Sequence, residues 1–556
     1  MLAILPLISA LAVLAQAQSQ CPDFAVYSQA STAFSRTAGI QRSIAHARSL
    51  ADASGQSVNG TAAAAIHAPE SGLSNVQQHG GRESGDGYES TYQGSRFGAA
   101  VREHVSQYAG HDCEVLQCGG CVPEIVKIAY EDGFQTENLA FIITGDITAS
   151  DRAQWLRDTA NQFAAYSSLI SLDPSLAVLM KAVINNEARY VSQYPYCGSF
   201  QPPPESGLAP SLNGHAVLVE VNPPVNNQTV FECKYEIDSL CGFLKLSRSY
   251  YSETKDVSFM DSKWFDAIDQ ILTVVDHQSQ ASFDADFNWI SYYNFTGLDG
   301  SLEPAVANGG NGEPKGYTGK TLGMVGTHHR PSDDLSTYAF LTPANAMLSV
   351  ELGNLVTILT ESGKSKTSRG KNVTALAKTW SKRVHDAIWN STVVNNIFAY
   401  ETNGLGSRYV MDDANVPSLL SLPYLGFLDM HNPTYVATRK LLLSRMNPYF
   451  AAGKNFSGIG GPHVDAWNPW PMSQITAIFG TDDDKEILDR LSLIAKAQHG
   501  RTRPDTRVAE HLQFHLVHSP VVRLGANSYF GEMMLDLAKR KPGLIFHNST
   551  AYTPGH

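Results

Sequence analysis

The chain has 556 residues, 43% of them hydrophobic and 17% charged, enough for one large globular body or two to three ordinary domains. Its 41 basic residues stand against 53 acidic ones, a net charge of −12. That balance argues against nucleic-acid binding, whose phosphate contacts need basic patches, and suits a soluble protein acting on neutral or cationic ligands.

Residues 1–17 read as a secretory signal. Leu2 to Ala15 is almost wholly apolar, and Ala15-Gln16-Ala17 is a small-x-small cleavage site. The apolar run is short for a membrane span. Asn59, Asn227, Asn294, Asn372, Asn390, Asn455 and Asn548 each head an N-x-S/T sequon, which supports a secretory route. The expected location is outside the cell, with the lumen of the secretory pathway as the alternative. The cysteines are Cys21, Cys113, Cys118, Cys121, Cys197, Cys233 and Cys241. An oxidising compartment permits disulfides, but an odd number leaves one thiol over, and sequence does not fix the pairing. Cys113-x4-Cys118-x2-Cys121 has no second pair or histidine cluster to complete a metal site. Residues 18–124 form an irregular N-terminal region. Within it, 29–100 is rich in Ser, Gly, Ala and Gln with little apolar periodicity, and reads as loop or disorder.

From about residue 125 the texture changes. Helical periodicity predicts helices over 152–171, 174–192, 233–251, 258–279, 343–361, 373–389, 416–428, 433–446, 470–480, 483–497 and 527–540. Gly/Pro/Asn-rich loops separate them, notably 198–226 and 298–332. Convincing strands are few. About a dozen helices with polar clusters at their ends predict an all-α toroid of paired helices over 125–556, although no repeat of fixed period is visible.

Those polar clusters hold the chemistry. Met411-Asp412-Asp413-Ala414-Asn415 precedes a long apolar run. Adjacent carboxylates repel, so a fold retains them as a cap, a cation site or a grip on sugar hydroxyls. Arg330-Pro331-Ser332-Asp333-Asp334 repeats the arrangement, and Trp155-Leu156-Arg157-Asp158 adds an arginine–carboxylate pair. Each has a structural reading: helix capping by Ser332, Asp333, Asp412 or Asp413, and an ion pair for Arg157 with Asp158. Trp155, Trp467 and Trp470 are candidates for stacking on a sugar face, against the simpler reading of core packing. His463 stands in a Gly-Pro loop within reach of a hydroxyl. Glu236 and Asp238, two apart ahead of an apolar helix, are expected to divide, one facing the pocket and the other solvent.

Taken together the motifs resemble glycoside hydrolase family 125, the metal-independent exo-α-1,6-mannosidases. In chain order they are Thr144-Gly145-Asp146-Ile147, Trp155-Leu156-Arg157-Asp158-Thr159-x-x-Gln162, Gln193-Tyr194-Pro195-Tyr196 and Tyr235-Glu236-Ile237-Asp238-Ser239-Leu240-Cys241. Then come Arg330 to Asp334, the Met411 run, Gly458-Ile459-Gly460-Gly461-Pro462-His463, Trp470-Pro471-Met472 and Ala526-Asn527-Ser528-x-Phe530-x-Glu532. The resemblance implies an (α/α)6 barrel and an inverting mechanism. It places the general acid in Ser332-Asp333-Asp334, without deciding between Asp333 and Asp334. It implies substrate contacts from Trp155, Arg157, Asp158, Gln162, Glu236, Asp238, Arg330, Asp412, Asp413, Asn415, His463 and Trp470. Inverting hydrolysis makes the same demand: one protonated carboxyl at the glycosidic oxygen and one carboxylate to activate water.

The second carboxylate is where the chain departs from the pattern. The family's base is a glutamate in a His-Glu-Ser segment, shortly before a Thr-Arg-x-Trp-Phe-Ala-Trp-Ala-Asn run. Here residues 500–525 read GRTRPDTRVAEHLQFHLVHSPVVRLG. Glu510 is the nearest carboxylate, in a different context. A one-base shift of the codons for Pro504 to Ala509 permits Leu-Ile-His-Glu-Ser. The same shift over His518 to Gly525 permits Thr-Arg-Gln-Trp-Tyr-Ala-Trp, returning to frame at Ala526. We read this segment as a frame error or a real frameshift. The seven residues between Ile147 and Trp155, where the pattern has about three, point the same way. The chain as written is therefore expected to lack its base, to hydrolyse α-1,6-mannosides hardly at all, and to be irregular over 500–525. The resemblance implies a mannose-containing glycan as partner, no cofactor, no nucleic acid, no stable membrane insertion and a monomer. The rivals are a catalytically dead mannose-binding relic and a metal-dependent α-mannosidase, for which no calcium or zinc ligand set is evident.

Overall fold

The computed structural model describes residues 134–144, 153–211, 219–281, 284, 286, 288, 290, 292–297, 322–404, 406–453, 456–464, 469–498 and 524–546. The signal segment, residues 18–124, the Cys113–Cys121 cluster, Thr144-Gly145-Asp146-Ile147 beyond Thr144, Trp467 and all of 500–523 with Glu510 lie outside them.

The described chain is helix-rich. Its main helices are α1 (Leu156–Ala164), α2 (Pro174–Gln193), α3 (Ile237–Thr254), α4 (Ser262–Ser279), α5 (Thr342–Glu361), α6 (Ser368–Ser391), α7 (Pro433–Leu442), α8 (Pro471–Phe479), α9 (Asp484–Gln498) and α10 (Leu524–Arg540). Start signals are local. Asp173 accepts the amides of Ser175 and Leu176 ahead of Pro174, Asp261 accepts the amide of Trp264, and Asn432 caps α7 ahead of Pro433.

The helices sort into two sets by what they bury. α3 and α5 are buried on most faces, whereas α6 buries a single stripe of Gly370, Val373, Ala377, Trp380, Val384, Ala387 and Ile388. α1 packs on α3, α3 on α5, α10 on α1 and α8 on α10; α6 packs outside α5, and α9 beside α8.

Short strands precede several of the inner helices. β1 (Gln154–Trp155), β2 (Ser199–Phe200) and β3 (Val230–Glu232) form one antiparallel sheet, with Trp155 opposite Ser199 and Ser199 opposite Glu232. β4 (Phe340–Leu341), β5 (Glu401–Thr402) and β6 (Arg408–Tyr409) form a second, with Glu401 between Leu341 and Tyr409. β7 (Phe450–Ala452) pairs with β8 (Ser457–Ile459). The predicted helix over 152–171 starts late, at 156, because β1 takes Gln154 and Trp155, and the one over 233–251 starts at 237, after the extended Glu236.

The predicted helix over 416–428 is corrected. The segment runs as successive turns. Pro417 and Pro423 each remove an amide donor, and Gly426 sits at φ 78°. Apolar periodicity survives because Leu419, Leu420 and Leu422 are buried all the same.

A disulfide joins Cys197 to Cys233, ahead of β2 and behind β3, while Cys241 is a buried free thiol inside α3. Among the described residues no helix is long and apolar enough to cross a membrane.

Candidate active site

Each polar cluster lies where a strand or loop turns into an inner element. At the β1–α1 junction, Trp155 is extended and packs edge-on against Phe231, with ring centroids 5.2 Å apart. The first turn of α1 then buries Arg157. Its Nη1 donates to Glu236 Oε2 at 2.6 Å and to Asp238 Oδ2 at 3.2 Å, while Nη2 lies 3.3 Å from Asp158 Oδ2. Burial opposes the guanidinium charge, but Glu236, Asp158, Asp238 and Asp333 outweigh it and hold Arg157 well above its ordinary value.

Glu236 and Asp238 correct an expectation. Both are buried, at 4% and 0% exposure, and both turn to Arg157. Glu236 is the extended residue before α3 and Asp238 is in its first turn, so the helical twist begins between them and swings both inward. Burial pushes the Glu236 carboxyl well above the usual range, with Asp238 and Asp333 adding to it and Arg157 opposing. Glu236 Oε1 and Asp238 Oδ1 are buried and make no hydrogen bond within the described protein.

Backbone ties join this group to the next. His328 and His329 donate their amides to the Tyr235 carbonyl, and the Ile237 amide donates to Thr327 Oγ1 at 3.2 Å. The 330–334 segment then makes a tight turn, with Asp333 N donating to Arg330 O and Arg330 N to Asp334 O. Asp333 sits at φ 67°, an uncommon conformation for a residue with a Cβ. Its side chain is 38% exposed and its Oδ1 lies 3.8 Å from Lys234 Nζ, which also lies 2.9 Å from Glu232. Desolvation pushes the Asp333 carboxyl up, but Lys234, Arg157, His463 and His329 outweigh it and hold it below the usual carboxylate range.

Asp334 faces the other side, with Oδ1 3.5 Å from His463 Nδ1. Ser332 links the two carboxylate groups: its hydroxyl donates to Asp413 Oδ2 at 2.5 Å and lies 3.5 Å from Asp334 Oδ2. Asp413 is buried, and its Oδ1 accepts the Asn415 amide at 3.0 Å and side chain at 3.2 Å. Gly461 packs on this carboxylate: a Cβ there would stand 3.0 Å from Oδ2. Asp158, Asp238, Asp333, Asp334, Asp413 and His463 thus belong to one connected cluster.

Other expected site residues are committed to the scaffold. Asp412 is fully buried, and its two oxygens accept the amides of Leu419 and Leu420 at 2.8 and 3.0 Å. Burial lifts its carboxyl to about 8. Arg330 is 3% exposed; its Nε donates to Glu401 Oε1 at 2.6 Å, and Tyr400 and Tyr409 flank the guanidinium. Gln162 lies one turn below Asp158 with its amide 3.5 Å from the Thr144 carbonyl, and Trp470 is buried at the start of α8. Sequence reading missed Lys234 and Glu401. The partners that bring them to the site, Asp333 for Lys234 and Arg330 for Glu401, lie about 70 to 100 residues away, beyond any local signal. Concavities of about 350 and 500 Å³ lie elsewhere, on α5–α6 and between α7 and α9, and these residues line neither.

A helical protein that gathers carboxylates, an arginine, a histidine and tryptophans at its strand–helix junctions has the equipment of a carbohydrate-cleaving enzyme. Comparison makes this specific: a family model described as metal-independent alpha-mannosidase (GH125) matches residues 120–535, and the chain belongs to that family of glycoside hydrolases. It is 40% identical over 417 residues to the meiotically up-regulated gene 157 protein of Schizosaccharomyces pombe, covering 74% of this chain and 79% of that protein. A Streptococcus pneumoniae metal-independent alpha-mannosidase, solved in a non-productive complex with alpha-1,6-mannobiose, superposes with a TM-score of 0.62 at 27% identity, covering 80% of this chain and 97% of the other.

Proposed function

We propose that the protein is an exo-acting α-1,6-mannosidase by descent, built as an (α/α)6 barrel and cleaving terminal mannose from mannan or N-glycan chains with inversion. The observation that carries this reading is the connected cluster running from Arg157, Glu236 and Asp238 through Asp333 and Asp334 to Asp413 and His463. The neighbour relations α10–α1–α3–α5 and α8–α10, with α6 and α9 outside, support the barrel. The mannobiose complex of the Streptococcus pneumoniae relative supports the linkage.

In this reading Glu236, Asp238 and Arg157 hold sugar hydroxyls through charge-assisted hydrogen bonds. The general acid comes from the Asp333–Asp334 pair. Asp333 is the stronger candidate because its left-handed backbone and greater exposure aim it outward. Arg330 and Asp412 position the loops that carry these groups.

The base is the weak side. Nothing in 500–525 supplies a glutamate in the family's setting, which favours the second reading, a mannose-binding protein without hydrolytic power. The leader and sequons support passage through the secretory pathway, and the protein is expected as a monomer. The experiment compares the chain as written with a frame-restored chain carrying His-Glu-Ser, on mannobioses of α-1,2, α-1,3 and α-1,6 linkage. Calorimetry reads binding and NMR reads the anomer released. The expected result is α-1,6 binding by both, and β-mannose release by the restored chain alone. Failure of both to bind, or preference for another linkage, would overturn the reading.

A further inference from the structure

The sequons on α6 point to a modification that the catalytic reading leaves untouched. Asn372-Val373-Thr374 and Asn390-Ser391-Thr392 lie near the two ends of this 24-residue helix. Both asparagines are exposed. They are eighteen residues apart, five turns at 3.6 residues per turn, so they share one azimuth and stand about 27 Å apart along the axis. The stripe that packs α6 onto the rest is centred about a third of a turn away, on Val373, Ala377, Trp380, Val384 and Ile388. Neither asparagine therefore enters the interface with α5. Their threonines are turned back on the helix, Thr374 to the Gly370 carbonyl at 2.6 Å and Thr392 to that of Ile388 at 2.8 Å.

Asn294 behaves differently. It is half-buried in the strand Asn294–Gly297, in register with Asn222 and between buried Tyr293 and Phe295. Asn227 is exposed in the loop before β3. The sequence pattern makes the four equal; burial separates them.

We propose that Asn372 and Asn390 both carry N-linked oligosaccharides, so that the outward face of α6 is a glycosylated face. This rests on the secretory reading given above. In the transfer, each Asn Nδ2 forms a bond to C1 of an oligosaccharide carried on a lipid pyrophosphate. The C1–O bond to the pyrophosphate breaks, the lipid pyrophosphate leaves, and the amide gives up one proton. Because α6 lies outside α5 and runs back from it, the Asn390 end is the one nearer the start of α5 and the Asp333 loop, and the Asn372 end is distal. Neither glycan blocks the helix packing, and together they exclude a protein partner from this face.

The test is secretion of the full chain from a eukaryotic host. The glycans are then removed by an amidase in ¹⁸O-water, and mass spectrometry locates the labelled aspartates. The expected result is label at both Asn372 and Asn390, and a two-step gain in gel mobility for the Asn372→Gln, Asn390→Gln double variant. Single variants, each one step, keep the reading available if the double variant is not secreted. Label at Asn227 or other sequons with neither or only one α6 site occupied overturns the inference and leaves the secretory route standing. A secreted chain without label at any sequon overturns the inference too. A chain that stays in the cytosol unlabelled overturns the secretory reading beneath it.

Discussion

Arg330 offers the sharpest test of how the acid loop is held. Its guanidinium is 3% exposed and is engaged by Glu401 at 2.6 Å and by Thr337 Oγ1 at 3.2 Å. The other Glu401 oxygen accepts the amides of Thr337 and Tyr338 at 2.8 and 2.9 Å. One ion pair thus ties the Asp333–Asp334 loop to β5 and, through Leu341, to the start of α5. Arg330→Met keeps most of the volume and removes the charge. It leaves Glu401 buried with two amides but no cation. Losing one partner of a buried pair costs about 3–5 kcal/mol, because the remaining charge has no compensation. In a domain of this size, at about 2 cal/mol/K of unfolding entropy per residue, that lowers the melting temperature by about 3–6 °C.

The sign of the pH effect follows from Glu401. Burial raises its carboxyl, and the Arg330 guanidinium is the main group opposing that rise. Without Arg330 the folded value climbs further above the unfolded one. The variant then retains stability at low pH, where Glu401 is protonated in both states, and loses it as pH rises. Thermal unfolding followed by circular dichroism at pH 5 and pH 7.5 reads both quantities, and Glu401→Gln in the Arg330→Met background should recover part of the loss. A variant melting within about 1 °C of the parent at pH 7.5, or losing equally at both values, would refute this account.

Asp333→Asn and Asp334→Asn in the frame-restored chain should leave the melting temperature near the parent's, and one of them should lower hydrolysis of α-1,6-mannobiose about 10²–10⁴-fold; unchanged rates in both would remove the acid from this pair. Replacing Cys197 and Cys233 by Ala opens a link across a sequence separation of 36 and should cost about 4 kcal/mol, read by denaturant unfolding. Glu187 is buried, with Oε1 accepting from Gln154 and its carboxyl lifted by burial from 4.5 to about 8. Its contribution is therefore complete below 4.5 and is lost as pH rises to about 8, and Glu187→Gln should flatten that part of the stability profile by about 4–5 kcal/mol. Robust α-1,6-mannosidase activity from the chain as written would overturn the frameshift reading of 500–525, and Glu510 would become the first residue to substitute.

Much of the helical frame is legible in the sequence because its causes are local. Asp173 with Pro174, Asp261, and Asn432 with Pro433 announce helix starts within three or four residues, and apolar spacing gives each helix its buried stripe. The ordered motifs also declare the family, since each needs only its own short run of residues. Periodicity misled at 416–428, where buried leucines occupy helical spacing on a chain whose prolines and Gly426 force turns.

The roles within the site were decided by partners distant in sequence. Nothing near Arg330 says that Glu401 will claim its guanidinium, and nothing near Asp412 says that the Leu419 and Leu420 amides will take both its oxygens. Glu236 and Asp238 look alternate as a spacing of two, yet the onset of helical twist turns both to Arg157. Sequence alone therefore determined which residue types this protein brings to its helix mouths and in what order. Only the tertiary structure decided which carboxylates are tied up by backbone amides and which pair with arginine, lysine or histidine, because that choice depends on burial and on charges contributed by other helices.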